Sequence, residues 1–370
     1  MVKQLQSPIA LIVFAYLVVY IVWGSTFFFI EKALHVFPPF VIGSIRFLIA
    51  GALLMGYCKI KGYRLFERTA VKQAMFVGFL LLFLDMAAVI WSEQYISSGI
   101  VSIISAATVI WFIVLDKPRW KENFTSPTTV IGLVMGFIGV FMLFAEQIFK
   151  GSDDEHDQSM ILIAMIVMTM GTIAWTIGSL YSKYSRKPTD YDDESEDNKS
   201  RKPKDLHVSV KTAWQMLTAG VVFTVVGATN GDYARFDAAS VPLEYWGTIV
   251  YLIIMGSILA FSSYIWLLQV RPATEVSTHA YVNPIVALLL AHFFTDHIVT
   301  GLQILGLSIV LSSVLLMNWR MYSDSKLIHN FKRKRRIKKL RNMAPKASIP
   351  RIVEIAEFAE SNKKENVKNI

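Results

Sequence analysis

The sequence predicts an all-α integral membrane protein with about ten transmembrane helices in two inverted five-helix repeats. Three observations carry this expectation: the composition, ten apolar stretches of spanning length, and an internal echo between the two halves. The 370 residues are 54% hydrophobic and 18% charged, with a mean hydropathy of +0.45, outside the balance of soluble globular domains. A soluble core of this size cannot bury so much apolar surface, so lipid must act as solvent.

A spanning helix needs roughly 20 mostly apolar residues to cross a hydrocarbon layer of about 30 Å. The first half offers Ile9–Ile30, Pro38–Cys58, Val71–Trp91, the shorter Gly99–Leu115, and Pro127–Ala145. The second offers Met160–Ser182, Val208–Thr229, Glu244–Leu268, Thr274–Phe294 and Leu302–Trp319. The first stretch is read as a retained span. Only Lys3 precedes it, no small-residue cleavage site follows, and its apolar run is too long for a signal-peptide core. Cys58 is the single cysteine, which excludes an intramolecular disulfide.

Orientation follows from basic residues in the loops. One set of loops carries Lys3, Lys59, Lys61, Arg64, Arg68, Lys72, Lys117, Arg119, Lys121 and Arg271, and the opposite set only Lys32, Lys150 and Arg235. Both termini are therefore expected in the cytoplasm. The organisation expected is a first repeat over 1–150, a second over 151–320 that includes a disordered cytoplasmic loop at 184–207, and a basic cytoplasmic tail over 321–370. That loop combines Asp190-Tyr-Asp-Asp-Glu194 with basic residues and prolines, a composition that cannot build a core. The tail holds Phe331-Lys-Arg-Lys-Arg-Arg-Ile-Lys-Lys-Leu-Arg341. Anionic lipid headgroups attract such a run by about 1 kcal/mol per charge. Nucleic-acid binding would call for a folded module beside it, and none is read there.

The echo between halves has a nearly fixed offset. Arg46-Phe-Leu-Ile-Ala50-Gly51 aligns with Gln215-Met-Leu-Thr-Ala219-Gly220, Ile90-Trp91 with Ile265-Trp266, and Gly132-Leu133 with Gly306-Leu307. Trp23-Gly-Ser25 has a looser counterpart in Trp175-Thr-Ile-Gly178-Ser179. Five spans per copy is odd, so the second copy enters the membrane from the other side, the arrangement many secondary transporters use.

In Trp23-Gly-Ser25, Pro38-Pro39 followed by Arg46-Phe47, Tyr95-Ile-Ser-Ser-Gly99 and Tyr281-Val-Asn283-Pro284 followed by Asp296 and Gly306, residues 9–319 resemble the drug/metabolite transporter (DMT) superfamily, in its ten-helix EamA-type members. Two departures stand out: Thr108-Val109 replaces a proline of the fourth helix, and Asp116-Lys-Pro-Arg-Trp-Lys-Glu122 is an atypical loop. The resemblance implies a transporter of the bacterial inner membrane that exports or exchanges small metabolites, often amino-acid-like, by alternating access. A membrane scaffold or sensor signalling through the basic tail is the alternative.

A charge at bilayer depth costs several kcal/mol, so such residues face a cavity or a partner. Arg46 and Asp85 are the two clear cases. Arg46 offers a planar donor fork for a carboxylate or phosphate, or a structural pair with Asp85, Glu31 or a helix end. Asp85, in the middle of the third span, is the candidate for proton coupling, with a fixed pairing to Arg46 as its rival role. Glu93 reads as interfacial, and His279 and His292 as hydrogen-bonded structural residues. His279 and Asn283 share a helix face, and Pro284 after them removes a backbone donor. The expected cavity lining comprises Trp23, Arg46, Asp85, Trp175, Gln215, Tyr264, His279 and Asn283. Trp23, Trp91 and Trp246 also fit an outer interfacial belt. Gly132, Gly136 and Gly139 permit close helix approach within the chain or in a homodimer. No His, Cys or Asp spacing suits a metal, no constellation suits catalysis, and no cofactor motif is present. The expected partners are a small-molecule substrate and the bilayer.

Overall fold

The computed structural model describes residues 9–96, 98–150, 158–185, 205–294, 300–317 and 319. Among them the chain is helical, with no strand. The long elements are α1 (Ile9–Leu34), α2 (Pro39–Ile60), α3 (Arg68–Ser92), α4 (Ser98–Ala106 and Thr108–Leu115), α5 (Pro127–Lys150), α6 (Gln158–Tyr184), α7 (Val208–Thr229), α8 (Leu243–Val270), α9 (His279–Phe294) and α10 (Gly301–Met317). They correspond one to one with the ten expected spans.

α1, α2, α3, α6, α7 and α8 are each long and apolar enough to cross a membrane unaided. α5 joins this group together with the short helix before it, from which it bends by 90°. The bend falls at Ser126, and the short helix before it holds the atypical Asp116–Glu122 segment, wound as a 3-10 turn at Lys117–Arg119 and a helix at Trp120–Thr125. α10 and the 103–115 part of α4 are shorter apolar helices. α9 contains Pro284 and follows a separate turn of helix at Ala273–Val276.

Two helices depart from α geometry. α3 is π-helical over Phe79–Leu84, immediately before Asp85, and α8 is π-helical over Leu252–Phe261. Such wide turns change the register of everything that follows and concentrate at functional sites.

Lipid tails are as apolar as leucine, so these helices hold together by close packing rather than by hydrophobic burial. On α1, Leu11, Phe14, Leu17 and Ile21 recur at helical spacing and are exposed as the lipid-facing stripe. The most closely packed helix pairs are α2 with α7 and α5 with α10, followed by α3 with α6, α3 with α7 and α1 with α8. Glycine makes the first two pairs possible, and the contacts are reciprocal. A Cβ on Gly51 would stand 2.8 Å from Leu217, and one on Gly220 2.8 Å from the Leu48 side chain. Leu48 and Leu217 occupy the same place in the aligned segments. In the other pair, a Cβ on Gly132 would meet the Ser313 carbonyl at 3.1 Å, and one on Gly139 the Gly306 carbonyl at 3.0 Å. Gly136 faces the Tyr281 ring of α9, so the glycine stripe of α5 is occupied within the chain.

Residues 205–207, at the end of the expected loop over 184–207, are described and packed against the bundle. Leu206 is buried with Cys58, Ala70, Val71 and Val210, and His207 caps α7 and stacks on Tyr63 with ring centroids 4.1 Å apart. One apolar residue in a polar run is enough to seat the chain on the α2–α7 pair. The acidic stretch around Asp190, His292's side chain and the basic run at 331–341 lie outside the described residues.

Candidate functional site

The middle of the bundle contains a small, partly open cavity. Its walls come from α1, α2, α3, α4, α6, α8 and α9. Trp23, Arg46, Asp85, Trp175, His279 and Asn283 all line it. These six come from five helices scattered over the chain, α1, α2, α3, α6 and α9, so the fold gathers them.

Two charged groups face this space without pairing to each other. Arg46 is 5% exposed and donates from Nε to Ser257 Oγ at 2.7 Å. Its side chain also lies against the Phe47 ring, 4.9 Å from the centroid. Asp85 is 7% exposed, and no hydrogen bond or ion pair engages it among the described residues. Asn283 Oδ1 is buried without a partner. His279 is oriented by Nδ1, 3.0 Å from the Val276 carbonyl. A guanidinium fork, a carboxylate and an amide thus share one small volume.

Aromatic rings close one side of it. The Trp23 ring sits 5.4 Å from Trp175, 5.0 Å from Tyr264 and 5.1 Å from His279. Tyr264 is fully buried behind Trp23 and Trp175, its hydroxyl 2.7 Å from Ser179 Oγ. It supports the cavity wall and does not line it. Trp23 is 8% exposed and lines the cavity, packed among protein rings and not turned to lipid. Gln215 lines a second, smaller pocket with Gln73, Lys211 and Gln269 instead. The sequence reading missed the hydroxyls of Thr26, Ser105, Thr108, Thr172 and Ser257. Thr26 and Thr172 stand three residues from Trp23 and Trp175, on the same helix faces, which was the available signal.

The family model of the "EamA-like transporter family" matches residues 10–145 and 200–319. The chain belongs to the EamA-like transporter family. Among similar proteins, the "uncharacterized inner membrane transporter YedA" of Escherichia coli K12 is 27% identical over 305 residues, 82% of this chain and 89% of that one. "Protein PecM" of Dickeya dadantii is 22% identical over 301 residues, covering 80% and 88%. The "uncharacterized transporter YvbV" of Bacillus subtilis is 22% identical over 320 residues, covering 85% and 93%. A solved crystal structure superposes with a TM-score of 0.63 at 12% identity, over 85% of this chain and 99% of that chain. It shows that the two chains share a fold, and nothing about chemistry.

In this EamA-family chain the polar groups at one end of the bundle are engaged with each other. Lys183 of α6 donates from Nζ to the carbonyls of Leu268 and Arg271, at 2.5 and 2.6 Å. Those carbonyls close α8, where helix ends lack internal donors. Arg271 pairs with Glu275 through Nε at 3.0 Å and Nη2 at 2.5 Å. The Tyr184 hydroxyl donates to Asp116 Oδ1 at 2.6 Å. Burial pushes the Asp116 carboxyl above its usual range, and the Tyr184 hydrogen bond opposes this only in part. Among the described residues, no group of three or more His, Cys, Asp or Glu side chains could hold a metal.

Proposed function

We propose that this protein is an inner-membrane transporter that exports or exchanges small, amino-acid-like metabolites by alternating access. The observation that carries the reading is the pair Arg46 and Asp85, both buried in one central cavity and not joined to each other. Two unspent charges of opposite sign at bilayer depth cost free energy that a fold without a ligand would have no reason to retain. An amino-carboxylate ligand satisfies both: its carboxylate meets the Arg46 fork and its ammonium meets Asp85. The aromatic walls of Trp23, Trp175 and Phe261 suit its apolar part. Asp85 can couple transport to a proton, binding one when no ammonium is present and losing it when the ligand arrives.

The working parts are two inverted five-helix repeats, residues 1–150 and 151–320, with both termini in the cytoplasm. Support comes from the reciprocal glycine contacts of α2 with α7 and α5 with α10. It comes also from the π-helical stretches in α3 and α8, which fall at aligned places in the two halves. The similarity to YedA, an inner membrane transporter by name, supports the inner membrane.

The test is comparative metabolite profiling of cells and medium. The wild type is overproduced beside an Arg46→Ala, Asp85→Asn double variant of equal membrane abundance. A class of small zwitterions that moves to the medium only with the wild type is the expected result. Coincident profiles from two folded, inserted proteins would overturn the reading and favour a scaffold.

A further inference from the structure

We propose that Ser257 and Gly256, held in the π-helical register of α8, are the positioning residues that aim the Arg46 guanidinium into the cavity and so set the affinity for the anionic group of the substrate. This rests on the reading of the central cavity as the transport site.

Three contacts support it. The Ser257 hydroxyl donates to the Leu252 carbonyl at 3.0 Å, five residues back. Serine and threonine elsewhere in these helices bond back three or four residues, as Ser263 does to Leu259 and Thr26 to Trp23. The five-residue reach requires the wide π turn. With its proton committed to Leu252, Ser257 Oγ presents only lone pairs to Arg46, and it accepts from Nε at 2.7 Å. Among the described residues this is the one hydrogen bond of the Arg46 side chain. It fixes the inner edge of the planar guanidinium and leaves the Nη groups for a ligand.

Gly256 completes the seat. A Cβ there would stand 3.1 Å from Arg46 Nη2 and 3.0 Å from Thr26 Cγ2, so the guanidinium lies against bare backbone. The Gly256 carbonyl accepts from Trp23 Nε1 at 3.1 Å. Two consecutive residues of one π stretch therefore orient both the charged group and the first aromatic wall. In a regular α-helix the Ser257 hydroxyl would turn to a nearer carbonyl and lose this alignment. Neither residue need touch the substrate; both act through Arg46 and Trp23.

The experiment compares wild type, Ser257→Ala, Ser257→Thr, Arg46→Ala and the control Ser263→Ala, purified and reconstituted in liposomes loaded with a mixture of the twenty amino acids. Efflux gives the half-saturating concentration and the maximal rate. The same proteins, ¹⁵N-labelled, give the exchange rate of the Arg46 Nε–H, assigned by its disappearance in Arg46→Ala. Ser257→Ala is expected to raise the half-saturating concentration about tenfold with little change in maximal rate. It should also speed Nε–H exchange about tenfold or more, because that proton loses its acceptor. Ser257→Thr restores both, and Ser263→Ala changes neither. An unchanged Nε–H exchange in Ser257→Ala overturns the proposal, whether or not an amino acid is transported. Unchanged half-saturation in Ser257→Ala overturns it too when Arg46→Ala is impaired. Arg46→Ala transporting like wild type would instead refute the transport-site reading itself.

Discussion

The central cavity and the Lys183 end of the bundle hold similar polar residues in opposite states of use. At the Lys183 end, Lys183 caps α8, Arg271 is spent on Glu275, and Tyr184 is spent on Asp116, whose Oδ2 is left without a partner. In the cavity, Arg46 makes a single side-chain hydrogen bond, Asp85 makes none among the described residues, and Asn283 Oδ1 is unpartnered. Buried polar groups ordinarily find partners, and exceptions call for an explanation. One end of the molecule uses its polar groups to hold helices together. The central cavity keeps them available, which is what a ligand site requires and what a structural core avoids.

The largest effect expected from this contrast is on transport. Arg46→Ala should lower it about a hundredfold, the scale for losing a buried partner to a charged ligand group. Melting of the purified protein should stay close to wild type, since removing an unpaired buried charge relieves a desolvation cost. A collapsed fold with normal transport per folded molecule would reverse the contrast. Lys183→Met keeps the shape of the side chain but strips two helix-end carbonyls of their donor. A loss of about 2 kcal/mol is expected in unfolding of the purified protein, and no loss would mean that Lys183 is not structural.

Smaller effects follow from groups outside the spans. Burial favours the neutral form of Asp116, so the folded protein keeps that proton to higher pH than the unfolded chain does. Stability should therefore decline as pH rises from the ordinary carboxylate range, about 4, through the raised value. Asp116→Asn should remove that slope in melting curves while keeping the acceptor for Tyr184. The smallest effect belongs to half-buried Glu67, which caps α3 by accepting from Thr69 N at 3.1 Å and Ala70 N at 2.6 Å. Those amides hold its carboxyl below the usual range. The charged cap therefore stabilises α3 above the ordinary glutamate pKa and is lost as pH falls through the lowered one. Glu67→Ala should speed amide exchange at Thr69 and Ala70 only.

The ten helices were legible because bilayer thickness demands long apolar runs, and Arg46 and Asp85 because a charge inside such a run is conspicuous. Gln215 illustrates where that reasoning stops. It is the repeat counterpart of Arg46, but it lines the second pocket and not the central cavity. Alignment of the two segments predicts an equivalent place in the fold and not a share in the same cavity. Tyr264 was placed in the right neighbourhood but one layer too near the cavity. The π stretches left no trace, because Phe79–Leu84 is wholly apolar and Leu252–Phe261 nearly so. Without polar residues to mark a period, a turn of 4.4 residues reads like one of 3.6. The hydroxyls of the lining were hidden for a different reason: serine and threonine are common in membrane helices that bond back to their own carbonyls.

The most direct test of the central claim is accessibility of the cavity from each side of the membrane. A Cys58→Ser background carrying Met86→Cys, a half-buried lining position, would be treated with a membrane-impermeant maleimide in right-side-out and in inside-out vesicles. Alternating access predicts labelling from both sides, slowed in each case by excess transported solute. Labelling from one side only, with solute transport intact, would contradict the account.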